Sequence, residues 1–211
     1  MRHLLREYRA KKGLIKKRLK EFGRIYKARD EDIFCELCFC LLTPQSKATN
    51  CDKAIRALKK SKLLFKGSPS QIRKILKGQA RFHNKKALFL VAARNLFRNR
   101  KNKLDIKTKL DRSDVLKTRE WLVDNIKGLG YKEASHFLRN IGLGKNLAIL
   151  DVHILKNLKK YGVINKIPKS ISKKDYLEIE QRIIGFSKKT KIPPEELDLL
   201  FWSHQTGFIF K

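Results

Sequence analysis

Apolar residues follow helical spacing along nearly the whole chain. Leu4, Leu5, Tyr8, Leu14, Ile15, Leu19, Phe22 and Ile25, with basic residues between them, predict one or two amphipathic helices over residues 2–27. The stretch Ile33 to Leu42 is apolar on all sides, as a central buried helix would be, and Thr43-Pro44 ends it. A loop with Gln45 and Ser46 follows, then a helix over 47–60. Gly67-Ser68-Pro69-Ser70 reads as a turn that caps a short helix, and Lys85 to Phe97 is another amphipathic segment. Arg98 to Lys109 is a basic connector, after which Ser113 is placed to cap a helix running through Val123. Beyond Ile167-Pro168 two more helices are expected, at about 172–185 and from Pro194 to about 202. No run alternates with a period of two, so the class is all-α.

The segment Asn125 to Asn157 adds a motif to this pattern. One helix ends at Ile126, a tight turn contains Gly128-Leu129-Gly130, and a second helix starts near Lys132, which together make a helix-hairpin-helix. Glycine can take positive φ and brings backbone N–H groups close to a phosphate, while the next helix adds its positive dipole end. Lys127, Gly128 and Gly130 are therefore the candidate contacts to a nucleic-acid backbone, a grip that reads no sequence. An ordinary helix-to-helix turn would also use such glycines. Nineteen residues after Lys132, Asp151 opens another helix, where it serves as an N-cap whether or not it has chemistry. A lysine at a helix N-terminus in so basic a chain feels positive charge that favours its neutral, nucleophilic form.

Charge decides what kind of partner to expect. Fifty-one Lys and Arg against 20 Asp and Glu give a formal charge of +31, far beyond what solubility needs, which points to a polyanion and first to nucleic acid. The longest nearly apolar run is too short to span a bilayer and holds Glu36, and the basic N-terminal stretch lacks a secretory signal's apolar core, so an intracellular soluble protein is expected. Cys35 and Cys38 form a C-x-x-C, but Cys35, Cys38, Cys40 and Cys51 lie in helical, apolar sequence without a second pair or a nearby His. Buried thiols are expected, with no metal site.

The stretch KGLGYKEASHFLRNIGL…ILDVHI resembles the helix-hairpin-helix base-excision DNA glycosylase superfamily. ELCFCLLTPQSKATNCDKAI and QARFHNKKALFLVAARNLF are similar to its early buried helix and to its N-x-K-A-like helix start. The likeness covers most of residues 31–157. With no Cys after Cys51, the iron-sulfur members are disfavoured, and the ending SHQTGFIFK looks most like the small archaeal-type 8-oxoguanine DNA glycosylase group.

The resemblance implies two helical lobes: a barrel over 30–145 holding the hairpin (about 116–141), and a second lobe of 1–29 plus 146–211, with DNA across the cleft between them. It implies a bifunctional glycosylase and AP lyase that needs no cofactor. Lys132 would attack C1′ of the damaged nucleotide, and Asp151 would stabilise the charge on the sugar. A strand break on the 3′ side by β-elimination would follow. Lys211 would recognise the lesion through its terminal carboxylate, an acceptor for the N7 hydrogen that 8-oxoguanine has and guanine lacks. Trp202 is the candidate stacking partner of the flipped base, and His136 a further pocket residue. Gln45 matches the loop that would hydrogen-bond the orphaned base, and Phe82, flanked by Arg81, the loop that would wedge between bases. The expected partner of this monomer is duplex DNA containing 8-oxoguanine. A glycosylase for oxidised pyrimidines or alkylated purines, a non-catalytic hairpin module that binds DNA, and a basic RNA-binding protein remain the alternatives.

Overall fold

The computed structural model describes residues 1–211, the side chain of Gln205 excepted. The described residues form helices and turns, with a single isolated bridge between Arg98 and Leu104 inside the basic connector. Eleven α-helices run in order: α1 (Arg2–Ile25), α2 (Asp30–Leu42), α3 (Ala48–Lys60), α4 (Leu63–Lys66), α5 (Pro69–Leu76), α6 (His83–Leu96), α7 (Val115–Asn125), α8 (Tyr131–Asn140), α9 (Val152–Lys160), α10 (Lys173–Thr190) and α11 (Pro194–Thr206).

The N-terminal pattern resolves into one helix, not two. α1 turns a single apolar stripe of Leu4, Tyr8, Ile15 and Phe22 inward and leaves its basic residues in solvent. α2 starts on Asp30, Glu31 and Asp32, whose charges suit the positive end of a helix, and nine of its 13 residues are buried. Ser68 caps α5 through a capping box with Gln71. Ser113 does not cap α7: Asp114 does, accepting from the Lys117 N–H at 2.9 Å, while the Ser113 hydroxyl donates to Asp111. Aspartate is the better cap here because its charge also meets the helix dipole. The last two helices run further than their apolar spacing predicts. α10 reaches Thr190, whose hydroxyl bonds back to the Phe186 carbonyl, and α11 continues until Gly207 turns left-handed at φ 82°.

Two hydrophobic cores divide near residue 147. The first runs from Ile33 to Leu147 and is built on α2, which is ringed by α3, α6 and α8. The second joins the inner face of α1 to residues between Ala148 and Phe201. Buried polar contacts tie one to the other. Arg119 on α7 and Glu180 on α10 form a two-pronged pair at 2.7 and 2.9 Å, both side chains fully enclosed. Glu180 also accepts the Ala148 N–H at 2.8 Å, and Tyr176 donates to the Ala148 carbonyl at 2.5 Å. This network fixes the short extended segment that delivers Asp151. At Gly142 (φ 80°) a Cβ would sit 2.5 Å from the Cα of Gly23, so α1 can cross the end of α8 only because Gly142 carries no side chain. No helix of the described residues is long and apolar enough to cross a membrane.

Candidate active site

α7 ends at Asn125, residues 126–130 turn the chain, and Gly130 is the N-cap of α8. Gly128 takes φ 84°, and a Cβ there would lie 2.4 Å from the ring of Phe89 on α6. Gly130, by contrast, is extended at φ −94° and needs no left-handed conformation. Its N–H is taken by Glu133 at 3.3 Å. Among the described residues the N–H groups of Lys127 and Gly128 have no acceptor, and both residues are exposed. An exposed turn with free N–H groups beside a helix N-terminus suits an anionic oxygen.

The second helix of the hairpin opens onto a cleft of about 830 Å³. Lys132, His136, Asp151, Trp202, Lys211 and Gln45 all line it. Sequence positions spread over more than 160 residues thus converge on one space. Lys127, Gly128, Gly130, Arg81 and Phe82 lie outside this lining. The first three precede Lys132 on the hairpin turn. Arg81 and Phe82 adjoin the Gln45 loop, because the Arg81 N–H donates to Ser46 Oγ at 3.0 Å.

Lys132 stands in the first turn of α8 with its ammonium 2.8 Å from Glu133 Oε1, partly open to solvent. Asp151 caps α9 by accepting the N–H groups of His153 and Ile154 on Oδ1, each at 2.8 Å. Its Oδ2 has no partner among the described residues, so the cap leaves one carboxylate oxygen for the cleft. His136 is buried edge-on to Phe39 at 5.7 Å, and its Nε2 has no partner among the described residues. Burial and the cations Arg139, Lys132 and Lys211 hold its imidazole well below the usual histidine range, hence neutral. Trp202 stacks on Phe210 at 6.1 Å and meets Phe208 edge-on at 5.5 Å. Lys211 reaches inward: its ammonium lies 2.9 Å from Glu36, 2.7 Å from Asp52 and 4.5 Å above the Phe39 ring. Burial lowers its pKa, but the two carboxylates outweigh that and raise it above the ordinary lysine value.

Sequence reading missed several participants. Glu133 was visible in principle, three residues after Gly130 at capping-box spacing. Glu36 and Asp52, which hold Lys211, carried no local signal. Nor did Asp198, 3.4 Å from Arg139 at the wall of the cleft. Burial pushes its carboxyl up to about 6, with Arg139 opposing and Asp151 adding to the rise. The four cysteines are buried thiols, Cys35 raised to about 12 and Cys51 to about 11, chiefly by burial.

Together the two cores, the hairpin and the cleft at its second helix define a helix-hairpin-helix protein with a basic, partly aromatic pocket. The family model described as 8-oxoguanine DNA glycosylase matches residues 15–192. The 8-oxoguanine DNA glycosylase/AP lyase of Fusobacterium nucleatum subsp. nucleatum is 44% identical over 205 residues, covering 97% of this chain and 94% of its own. The 8-oxoguanine DNA glycosylase of Thermotoga maritima superposes with a TM-score of 0.88 at 35% identity, over 100% of this chain and 97% of that one. The Methanocaldococcus jannaschii 8-oxoguanine glycosylase/lyase, solved with a 15mer DNA containing 8-oxoguanine, gives a TM-score of 0.87 at 34% identity over 99% and 100% of the two chains. The chain belongs to this 8-oxoguanine DNA glycosylase family.

Proposed function

We propose that this chain excises 8-oxoguanine from duplex DNA and then cuts the strand as an AP lyase, acting as a monomer with Lys132 as its nucleophile. The observation that carries this reading is the convergence of Lys132 and the free oxygen of Asp151 on one cleft beside the hairpin turn. The hairpin N–H groups grip a backbone phosphate, and the basic surface adds a salt-dependent hold without reading sequence. The two cores act as lobes, 30–145 and 1–29 with 146–211, that close on the two sides of the duplex.

The everted base enters the cleft, where Trp202 is available for stacking. With its ammonium anchored by Glu36 and Asp52, Lys211 has its main chain left to accept the N7 hydrogen of 8-oxoguanine. His136, neutral and short of one partner, forms part of the same wall. Lys132 leaves Glu133, loses a proton, and its amine forms a bond to C1′ as the bond to N9 breaks and the base departs with a proton. Asp151 stabilises the positive charge that develops on the sugar. Ring opening gives a Schiff base, loss of a C2′ proton expels the 3′ phosphate, and hydrolysis frees Lys132. Gln45 and Phe82 fill the space that the base leaves.

Borohydride trapping on a duplex with one 8-oxoguanine tests this directly. Wild type should form a covalent adduct and Lys132→Gln none, while a panel of oxidised pyrimidines and alkylated purines should give weaker excision. No adduct with any lesion would sink the lyase reading and leave a monofunctional glycosylase or a binding protein.

A further inference from the structure

Lys86 is a buried lysine that the chemistry above does not use. It is 4% exposed, and among the described residues its ammonium has no carboxylate partner. Burial lowers its pKa. Its three ammonium hydrogens instead go to three neutral acceptors: the carbonyls of Leu42 and Pro44, each at 2.7 Å, and Ser46 Oγ at 3.0 Å. Removing a charge from water costs several kcal/mol, and an apolar side chain in that place would avoid the cost. What the ammonium gives in return is geometry.

The acceptors surround Gln45. The other partner of Ser46 Oγ is the Arg81 N–H at 3.0 Å, and the Ser46 hydroxyl in turn donates to the Pro44 carbonyl at 3.3 Å, so every valence of that oxygen is used. Arg81 precedes Phe82, the N-cap of α6, and the Lys86 N–H closes the first bond of that helix on the Phe82 carbonyl at 3.0 Å. One ammonium and one hydroxyl therefore hold the loop after α2 to the loop before α6. Each loop carries one exposed non-glycine residue in the left-handed region, Gln45 at φ 53° and Phe82 at φ 57°. A side chain opposes this backbone region, so each conformation is strained and persists only because its surroundings enforce it.

We propose that Lys86, through Ser46, is a positioning residue that locks Gln45 and Phe82 into one rigid double probe, so that both enter the base stack together when a nucleotide is everted. This rests on the glycosylase reading above. Neither Lys86 nor Ser46 need touch DNA. Their effect should fall on eversion of the base and spare the chemistry that follows once a site is already open.

The test compares Ser46→Ala, Ser46→Thr and Lys86→Met on two duplexes, one with 8-oxoguanine flanked by 2-aminopurine and one with a preformed abasic site. Ser46→Ala keeps the buried charge and its two carbonyl partners, so it carries the test even if Lys86→Met folds poorly. Single-turnover excision by Ser46→Ala should fall about tenfold, the factor one hydrogen bond carries, together with the 2-aminopurine signal of unstacking. Scission at the abasic site should change less than about twofold, within the size expected of distant surface changes. Ser46→Thr, which keeps the oxygen, should restore excision. Equal losses on both duplexes, or Ser46→Ala excising at the wild-type rate, would overturn the proposal. Failure of wild type to excise 8-oxoguanine would overturn the glycosylase reading instead.

Discussion

The hairpin turn and the two loops proposed as probes both present left-handed backbone to the exterior, but they reach it by different means. At the hairpin the left-handed residue is Gly128, which adopts φ 84° at no steric cost and lets the turn press against Phe89. At the probes the residues are Gln45 and Phe82, whose side chains oppose the conformation, and the buried Lys86 and Ser46 hold it from behind. A backbone grip needs N–H groups and close approach, which glycine supplies. A probe needs a side chain at the tip, so it has to accept strain and rely on a tertiary clamp.

That contrast can be broken at four places, of decreasing effect. Arg119→Ala should be the most damaging, because it strands Glu180 as a buried, unpaired charge behind the hairpin and beside the segment leading to Asp151. Denaturant unfolding should show a loss of about 3–5 kcal/mol. A stability change below about 1 kcal/mol, the usual worth of a surface pair, would show that the Arg119–Glu180 bridge does not hold the two cores together.

A pH profile should distinguish the wall of the cleft from both regions. Burial raises the Asp198 carboxyl from its ordinary 3.8 to about 6, so its stabilising contribution is complete below 3.8 and is lost as pH rises through about 6. Asp198→Asn should flatten the stability profile across that window by about 3 kcal/mol. Gly128→Ala and Phe82→Gly should keep the wild-type slope, since neither site titrates.

Gly128→Ala forces a Cβ into both a left-handed backbone and the Phe89 ring. A loss of about 1–2 kcal/mol in stability and a matching drop in affinity for undamaged duplex are expected, read by thermal melting and by fluorescence anisotropy. The smallest change runs the other way. Phe82→Gly removes strain and should leave stability level or higher by up to about 1 kcal/mol, while excision of 8-oxoguanine falls. Equal behaviour of Gly128→Ala and Phe82→Gly would erase the distinction between a glycine grip and a strained probe.

The same distinction explains what could be read in the sequence. The hairpin was legible because glycine, lysine and the later aspartate are local signals, and an N-cap such as Asp151 acts on its own helix. The apolar α2 was legible from its lack of any polar face. The caps and ends of α7, α10 and α11 were less so, since Asp114 and Ser113 are both good caps and only packing chose between them. Asp52 reads as a surface acid of an amphipathic helix, and nothing near it in the chain announces Lys211.

Sequence alone therefore determined the all-helical class, the hairpin, the polyanionic partner implied by +31, and Lys132 and Asp151 at their helix starts. Periodicity, caps and charge act over a few residues or over the whole chain, and neither scale requires knowledge of the fold. Tertiary structure decided that Glu36 and Asp52 hold Lys211, that Glu180 ties Arg119 to Ala148, and that Lys86 joins the loops of Gln45 and Phe82. Those contacts join residues up to 175 positions apart. A buried charge takes whichever acceptors the packed chain brings within 3 Å, and no local pattern encodes which ones they will be.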